Sequence, residues 1–241
     1  MSRIIPLRDY FVFNGRSSLE FKVRISGNGT YKTAERDVES IVVPGRNGEL
    51  TVDRKRFKNV AQYYDAFIVD DYQTNLSSFI NHLFTLPGYQ RLEDSYHLEE
   101  FRLARFLGPM DPESVMDESG RFRVEFDCKP QRYLKSGERE IVIEGSETIT
   151  LINPSMQTAL PKITVTSGTG EMIFNNQHVT LSSNNGATII DSELMDAYEG
   201  TTNRSANLTL TDGYPVLNEG SNGITIPAGM TVKLRPRWWK I

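Results

Sequence analysis

Between residues 141 and 234 the chain is a succession of short β-branched segments cut apart by turn residues, and this pattern constrains the fold most. The segments lie at 141–143, 148–152, 162–166, 171–174, 178–181, 187–190, 208–210, 223–226 and 231–234. Thr169-Gly170, Asn175-Asn176, Asn184-Asn185-Gly186, Asn222-Gly223 and Pro227-Ala228-Gly229 separate them. Val, Ile and Thr fit a pleated, half-buried surface, whereas Gly and Asn accept the positive φ of tight turns. Such spacing predicts an antiparallel β-sandwich. No internal repeat is visible, which argues against a solenoid or propeller.

The first half is chemically different. Up to Lys135 it carries 20 Lys and Arg, 20 Asp and Glu, and 19 of the 24 aromatic residues, leaving 7, 11 and 5 for the remainder. Two unlike halves predict two domains, 1–135 and 136–241, joined through 130–138. A strand at 10–13 closes on Asn14-Gly15. Residues 21–25 alternate apolar with charged and predict a half-buried strand followed by a turn at 26–29. Further strands are expected at 59–69, 96–107 and 121–129. In the last, Phe122, Val124, Phe126 and Cys128 point one way, while Arg121, Arg123, Glu125, Asp127 and Lys129 point the other, so one face is core. One helix is predicted over 74–84, where Leu76, Phe79, Ile80, Leu83 and Phe84 form an apolar stripe. Thr74 or Asn75 caps its start and Pro87-Gly88 stops the chain after it. His82 lies off that stripe and reads as a surface residue.

The stretch from Val42 to Val52 is the most distinctive of this half. Pro44 cannot donate to a ladder and marks the end of pairing. Asn47-Gly48 suits both centres of a type I′ turn, so Pro44, Gly45, Arg46, Asn47, Gly48 and Glu49 are expected to tip a stiff hairpin. Arg46 and Glu49 put a charged fork on that tip. An ordinary solvated hairpin and one that reaches into a neighbouring subunit are both compatible with these residues. A phosphate cradle is not, because the Gly-x-x-x-x-Gly-Lys spacing is missing.

Several function classes are excluded or weakened. The net charge of −4 opposes a broad nucleic-acid footprint. The chain lacks an apolar run long enough for a transmembrane helix, and its first residues lack a signal-peptide h-region. One cysteine, Cys128, rules out an intrachain disulfide framework and a multi-cysteine zinc site. His82, His97 and His178 fall in three separate elements without ligand spacing. The carboxylates Asp111, Glu113, Asp117 and Glu118 lack the order of an EF-hand and read as a solvated loop. Neither a nucleophile elbow, a zincin helix nor a dinucleotide fingerprint is present, so no catalytic, metal or cofactor residues are assigned. Trp238 and Trp239 leave a carbohydrate-binding alternative open. The plainer expectation is one ring in the sandwich core and the other at a domain or partner contact.

The chain resembles the distal tail protein family of long-tailed bacteriophages over nearly its whole length. The likeness lies in Phe13-Asn14-Gly15, the Val43-to-Gly48 hairpin, Leu92-Glu93-Asp94, Arg102-Leu103-Ala104-Arg105 and Gly120-Arg121-Phe122. It continues in Phe126 to Pro130, Asn153-Pro154, Ile189 to Ser192, Gly220 to Ile224 and Pro236-Arg237-Trp238-Trp239. The resemblance implies a mainly β protein: an N-terminal β-sandwich-type, ring-forming domain with one α-helix, then a galectin-like antiparallel β-sandwich. It implies a non-enzymatic structural hub of the tail tip or baseplate, without cofactors. Its partners would be copies of itself in a hexameric ring, the tail tube protein, tail-associated or tape-measure proteins, and in some relatives a receptor-binding protein. DNA would pass through such a ring without being read, and the protein would reside at the virion tail tip. The sugar-binding residues of galectins find no match in 136–241.

Overall fold

The computed structural model describes residues 9–27, 31–116, 119–146 and 148–241, with the side chains of 114–116 left aside. The first eight residues, Asn28 and Gly29 of the expected turn, and Asp117 and Glu118 of the acidic loop lie outside the described residues. The chain divides into two compact units, one running to Arg132 and one spanning Tyr133–Lys240.

The first unit contains β1 (Phe11–Phe13), β2 (Arg16–Ser17), β3 (Arg24–Ile25), β4 (Arg36–Val42), β5 (Glu49–Phe57) and β6 (Val60–Ile68). Then follow α1 (Tyr72–Leu83), β7 (Gln90–Asp94), β8 (Glu100–Phe106), β9 (Glu113–Met116) and β10 (Ser119–Cys128). An antiparallel sheet runs β2-β1-β7-β8-β10-β6-β3, with β9 paired to the start of β10. The alternation of β10 is realised in full: Phe122, Val124, Phe126 and Cys128 are buried, and its nine-pair register with β6 is unbroken. Those side chains meet α1 in an aromatic core. Phe11 stacks on Tyr64 at 5.1 Å between centroids, and Phe79 lies 5.7 Å from Phe21 and 5.9 Å from Phe122. Gly120 is obligatory here, since a Cβ at that position would fall 2.2 Å from the Tyr72 ring.

Local departures from the sequence expectations have identifiable causes. Asn14 and Gly15 take φ of 49° and 76° between paired Phe13 and Arg16, which makes this the type I′ turn of the unit. Residues 18–21 form a 3₁₀ turn, which takes Phe21 out of the strand expected over 21–25. Ser17 caps it by accepting from the Leu19 amide, while Glu20 accepts from the Ser17 amide at 2.9 Å. That capping box overrides the period-two pattern and leaves only Arg24–Ile25 as strand. Residues 113–116 form β9 where a loop was expected. α1 begins two residues early, after Asp71 in the left-handed region, so neither Thr74 nor Asn75 is the cap. The Asn75 amide donates to the carbonyls of Asp70 and Asp71 instead. Its buried arc is Tyr72, Phe79, His82 and Leu83, with Leu76 partly buried, while Phe84 stays exposed and meets Phe106 edge-on. His82 is therefore a core residue and not a surface one. Its ring stacks on Phe21 at 5.2 Å and its Nε2 lies 2.9 Å from the Phe13 carbonyl, which satisfies one polar edge of the ring.

After β11 (Arg132–Leu134), whose first residue still belongs to the first unit, the second unit contains β12 (Ile141–Glu144), β13 (Thr148–Asn153), β14 (Lys162–Ser167), β15 (Gly170–Phe174), β16 (Gln177–Leu181) and β17 (Thr188–Asp191). It continues with β18 (Asp196–Glu199), β19 (Thr202–Asn203), β20 (Leu208–Leu210), β21 (Gly220–Thr225), β22 (Thr231–Arg235) and β23 (Trp239–Lys240). One sheet runs β12-β22-β14-β17-β18-β19 and the other β13-β21-β15-β16-β20. Ile163, Val165, Ile190 and Val232 from the first meet Met172, Phe174, Val179 and Ile224 from the second in one apolar core, which is a sandwich. β18 has no strong strand signal in Asp-Ala-Tyr-Glu and owes its conformation to pairing with β17. The Asn-rich composition is partly internal. Asn222 is fully buried; it accepts from the Asn175 side chain and the Asn218 amide and donates to the Asn218 and Gly220 carbonyls.

Candidate functional site

β4 and β5 pair only with each other, so they form a two-stranded arm outside the main sheet. Its register sets Val42 opposite Glu49, Ile41 opposite Leu50 and Glu39 opposite Val52. The base of the arm is zipped by cross-strand ion pairs: Arg36 to Asp53 at 2.6 Å, Arg56 to Asp37 at 2.6 Å, Lys58 to Glu35 at 3.0 Å and Arg54 to Glu39 at 3.1 Å. Hydrogen bonding from Arg36 holds the Asp53 carboxyl below its ordinary range. Three of these pairs are solvent-exposed and contribute at most about 1 kcal/mol each, whereas Arg56 reaches a buried Asp37. They fix register more than they add stability, and they charge the ribbon against random edge pairing.

The tip is different. The Val43 carbonyl accepts from the Arg46 amide at 3.2 Å across Pro44 and Gly45, and Gly45 has φ of 78°. That is a type II turn, with Pro at its second position and Gly at its third. The Asn47-Gly48 expectation is corrected accordingly: Asn47 is not among the positive-φ residues, and the connection spans Val43 to Gly48 because Pro44-Gly45 already reverses the chain. Val42 is 72% exposed, Leu50 49% and Ile41 41%, with Val38, Val43 and Val52 also exposed. Arg46 and Glu49 make no ion pair among the described residues. A lone two-stranded ribbon is marginally stable in water, and clustered exposed apolar side chains mark an interaction surface.

In the second unit, Trp238 is buried in the sandwich core and Trp239 packs at its margin, donating its indole N–H to the Thr158 carbonyl at 2.9 Å. The segment that holds them is locked. Arg237, at φ of 59°, forks onto both oxygens of buried Asp191 at 2.7 and 2.8 Å, and its amide donates to the Gly137 carbonyl. Burial pushes the Asp191 carboxyl up, but the hydrogen bonds and charge of Arg237 outweigh it and hold the group below its ordinary range. Gly137 permits this approach, since a Cβ there would lie 2.3 Å from the Trp238 nitrogen. Sequence reasoning missed this latch, because its partners are 46 residues apart and no local pattern pairs them.

Two further polar groups are held in internal hydrogen-bond networks. Asp94 accepts from the Tyr64 hydroxyl, the Tyr96 and His97 amides, and lies 2.9 Å from His97 Nδ1, which occupies both its oxygens. Buried Arg102 donates to the carbonyls of Lys32, Lys129 and Pro130. Burial pushes the Cys128 thiol up to about 12, which leaves it a core group without thiolate character. Among the described residues no cluster of three His, Cys, Asp or Glu could hold a metal, and no helix is long and apolar enough to cross a membrane.

A two-unit, antiparallel β protein with one α-helix among the described residues and a separate two-stranded ribbon is the class this fold defines. Among solved structures it is similar to the SPP1 Dit (gp 19.1) protein, described as a paradigm of the hub adsorption apparatus in phages infecting Gram-positive hosts. The two are 13% identical, with 94% of this chain and 97% of that chain covered at a TM-score of 0.68, so what they share is the fold. No family model matches the chain, and neither does any curated protein.

Proposed function

We propose that this chain is a non-enzymatic structural hub of the tail tip of a long-tailed bacteriophage. Copies of it associate head to tail into a closed, hexameric ring that joins the tail tube to the host-recognition apparatus. The observation that carries this reading is the β4–β5 arm. Its base is internally charge-paired, its tip is apolar and unpaired, and nothing in its own chain covers it among the described residues. The near-complete overlap with a hub adsorption protein supports the same reading. In this role residues Pro44 to Glu49 touch a second copy. The tail tube protein, tail-associated proteins and a receptor-binding protein are the further partners, and DNA passes through the ring without sequence recognition. The second unit serves as the outward module and folds on its own. Trp238 in the core and Trp239 tied to Thr158 favour a packing role for both rings over a sugar platform.

The test is the solution mass of the purified chain by light scattering over a range of concentrations. A species near six times the chain mass of 27.4 kDa is expected. A monomer at every concentration overturns the reading.

A further inference from the structure

The arm and a second feature of the first unit lie at opposite ends of β6. Val60 follows the root of the arm at the start of that strand. Towards its end, Asp65 and Phe67 line a cleft of about 590 Å³ together with Asp111, Glu113, Arg121 and Arg123. Five to seven strand residues separate the two, roughly 20 Å.

The charges of the cleft mirror those of the arm tip. Arg123 is engaged, with its Nε 2.8 Å from Asp65. Arg121, Asp111 and Glu113 make no ion pair among the described residues. Half-buried Phe67 adds an apolar wall. Among the described residues the cleft thus offers one cation and two carboxylates outside any ion pair, and an aromatic surface. The arm tip offers one free cation in Arg46, one free carboxylate in Glu49 and the apolar side chains of Val42 and Val43.

We propose that this cleft is the seat of the arm tip of a second copy of the chain. Arg46 meets Asp111 and Glu113, Glu49 meets Arg121, and the apolar tip covers Phe67. The inference rests on the reading of the arm as a self-association element and names its receiving surface. Donor and receiver are different patches of one chain, so the contact is heterologous and propagates from copy to copy until it closes. Oppositely charged groups that are desolvated together define register and partner, whereas like charges brought together there are strongly unfavourable.

Charge exchange in the full chain tests this. Glu49→Arg alone and Arg121→Glu alone should each weaken assembly about tenfold or more, read as the concentration at which the oligomer's mass falls by half. The double variant should return to within about threefold of wild type. Unchanged circular dichroism melts confirm that each variant folds, as expected for exposed positions. Independently, Glu49→Cys with Arg121→Cys should give disulfide-linked multiples of 27.4 kDa under oxidation, with buried Cys128 not participating. A double variant no better than the weaker single, or an Arg121→Glu variant that assembles like wild type, overturns the proposal. If disruption of the arm tip weakens assembly but Arg121→Glu does not, the arm reading stands and this seat falls. If wild type is a monomer throughout, both fall.

Discussion

Ile41 and Leu50 stand opposite each other across the β4–β5 arm, and each keeps close to half of its surface in solvent. On a two-stranded ribbon such a cross-strand pair normally needs a third layer, because the ribbon itself offers nothing to bury it against. Replacing both by Ser should therefore leave the monomer nearly as stable as before, within about 0.5 kcal/mol per exposed substitution. It should weaken assembly by about 2–4 kcal/mol if both side chains are buried in the contact. Sedimentation across concentrations, beside a thermal melt, separates the two effects. A variant that assembles like wild type would remove the apolar tip from the interface.

The tip can also be disrupted through its turn. The triple change Arg46→Ala, Asn47→Ala and Gly48→Ala should weaken assembly strongly while costing the fold little. Most of that small cost comes from forcing Ala into the positive φ of Gly48, about 1 kcal/mol. The measurement is again the solution mass, and an unchanged mass at low concentration would make the turn irrelevant to association.

The second unit should fold alone, but its start matters. The Leu134 amide donates to the Trp238 carbonyl at 2.8 Å, and the Leu134 side chain packs against the sandwich core. A fragment from Tyr133 to Ile241 should give a cooperative, β-rich melt as a monomer. One from Ser136 should be less stable by at least about 2–3 kcal/mol, because it loses partly buried Leu134 and its hydrogen bond together with buried Tyr133. Equal melts for the two would show that the Leu134 contacts contribute nothing.

Asp191 and Arg237 give the unit a defined pH response. The folded Asp191 carboxyl titrates below its unfolded value near 3.8. Its contribution is therefore present above that value and is lost as pH falls through the lower, folded one. Arg237→Met leaves a buried carboxylate without its partner, at a cost of about 3–5 kcal/mol at neutral pH. In that variant the Glu193 and Leu194 amides still donate to Asp191, but burial is the largest influence on the group and raises its pKa, so stability should fall as pH rises from 4 towards 7. Melts from pH 3 to 7 check the sign: wild type should lose stability at the acid end and the variant should gain it. Parallel curves would show that the pair is energetically silent.

Glycan recognition of functional weight is not expected of this chain. Trp238→Ala should unfold or strongly destabilise the second unit, by about 3–5 kcal/mol, because the ring is core. A reproducible glycan-array signal that disappears with Trp239→Ala in a folded variant would establish the adhesion role instead.

Local chemistry determined much of this molecule. The strict alternation from Arg121 to Lys129, the punctuated β-branched runs of the second half and the apolar spacing from Leu76 to Leu83 each report a backbone period. That period survives in the fold because one face of each element has to leave water. Asn14-Gly15 likewise turns where its φ preferences allow. What tertiary structure decided were choices between locally equivalent options. Pro44-Gly45, not Asn47-Gly48, forms the hydrogen-bonded turn at the arm tip, with Gly45 at φ of 78° and Asn47 outside the left-handed region. His82 went inward because Phe13 offered a carbonyl and Phe21 a ring, neither visible from the helix itself. The ladder that pairs Arg36 with Asp53 and Arg56 with Asp37, and the fork of Arg237 on Asp191, join residues 17 to 46 positions apart. A charge has no period and no preferred neighbour in sequence; only the folded chain assigns its partner, and there Arg46 and Glu49, the fork legible in the sequence, stay outside the ladder of ion pairs among the described residues.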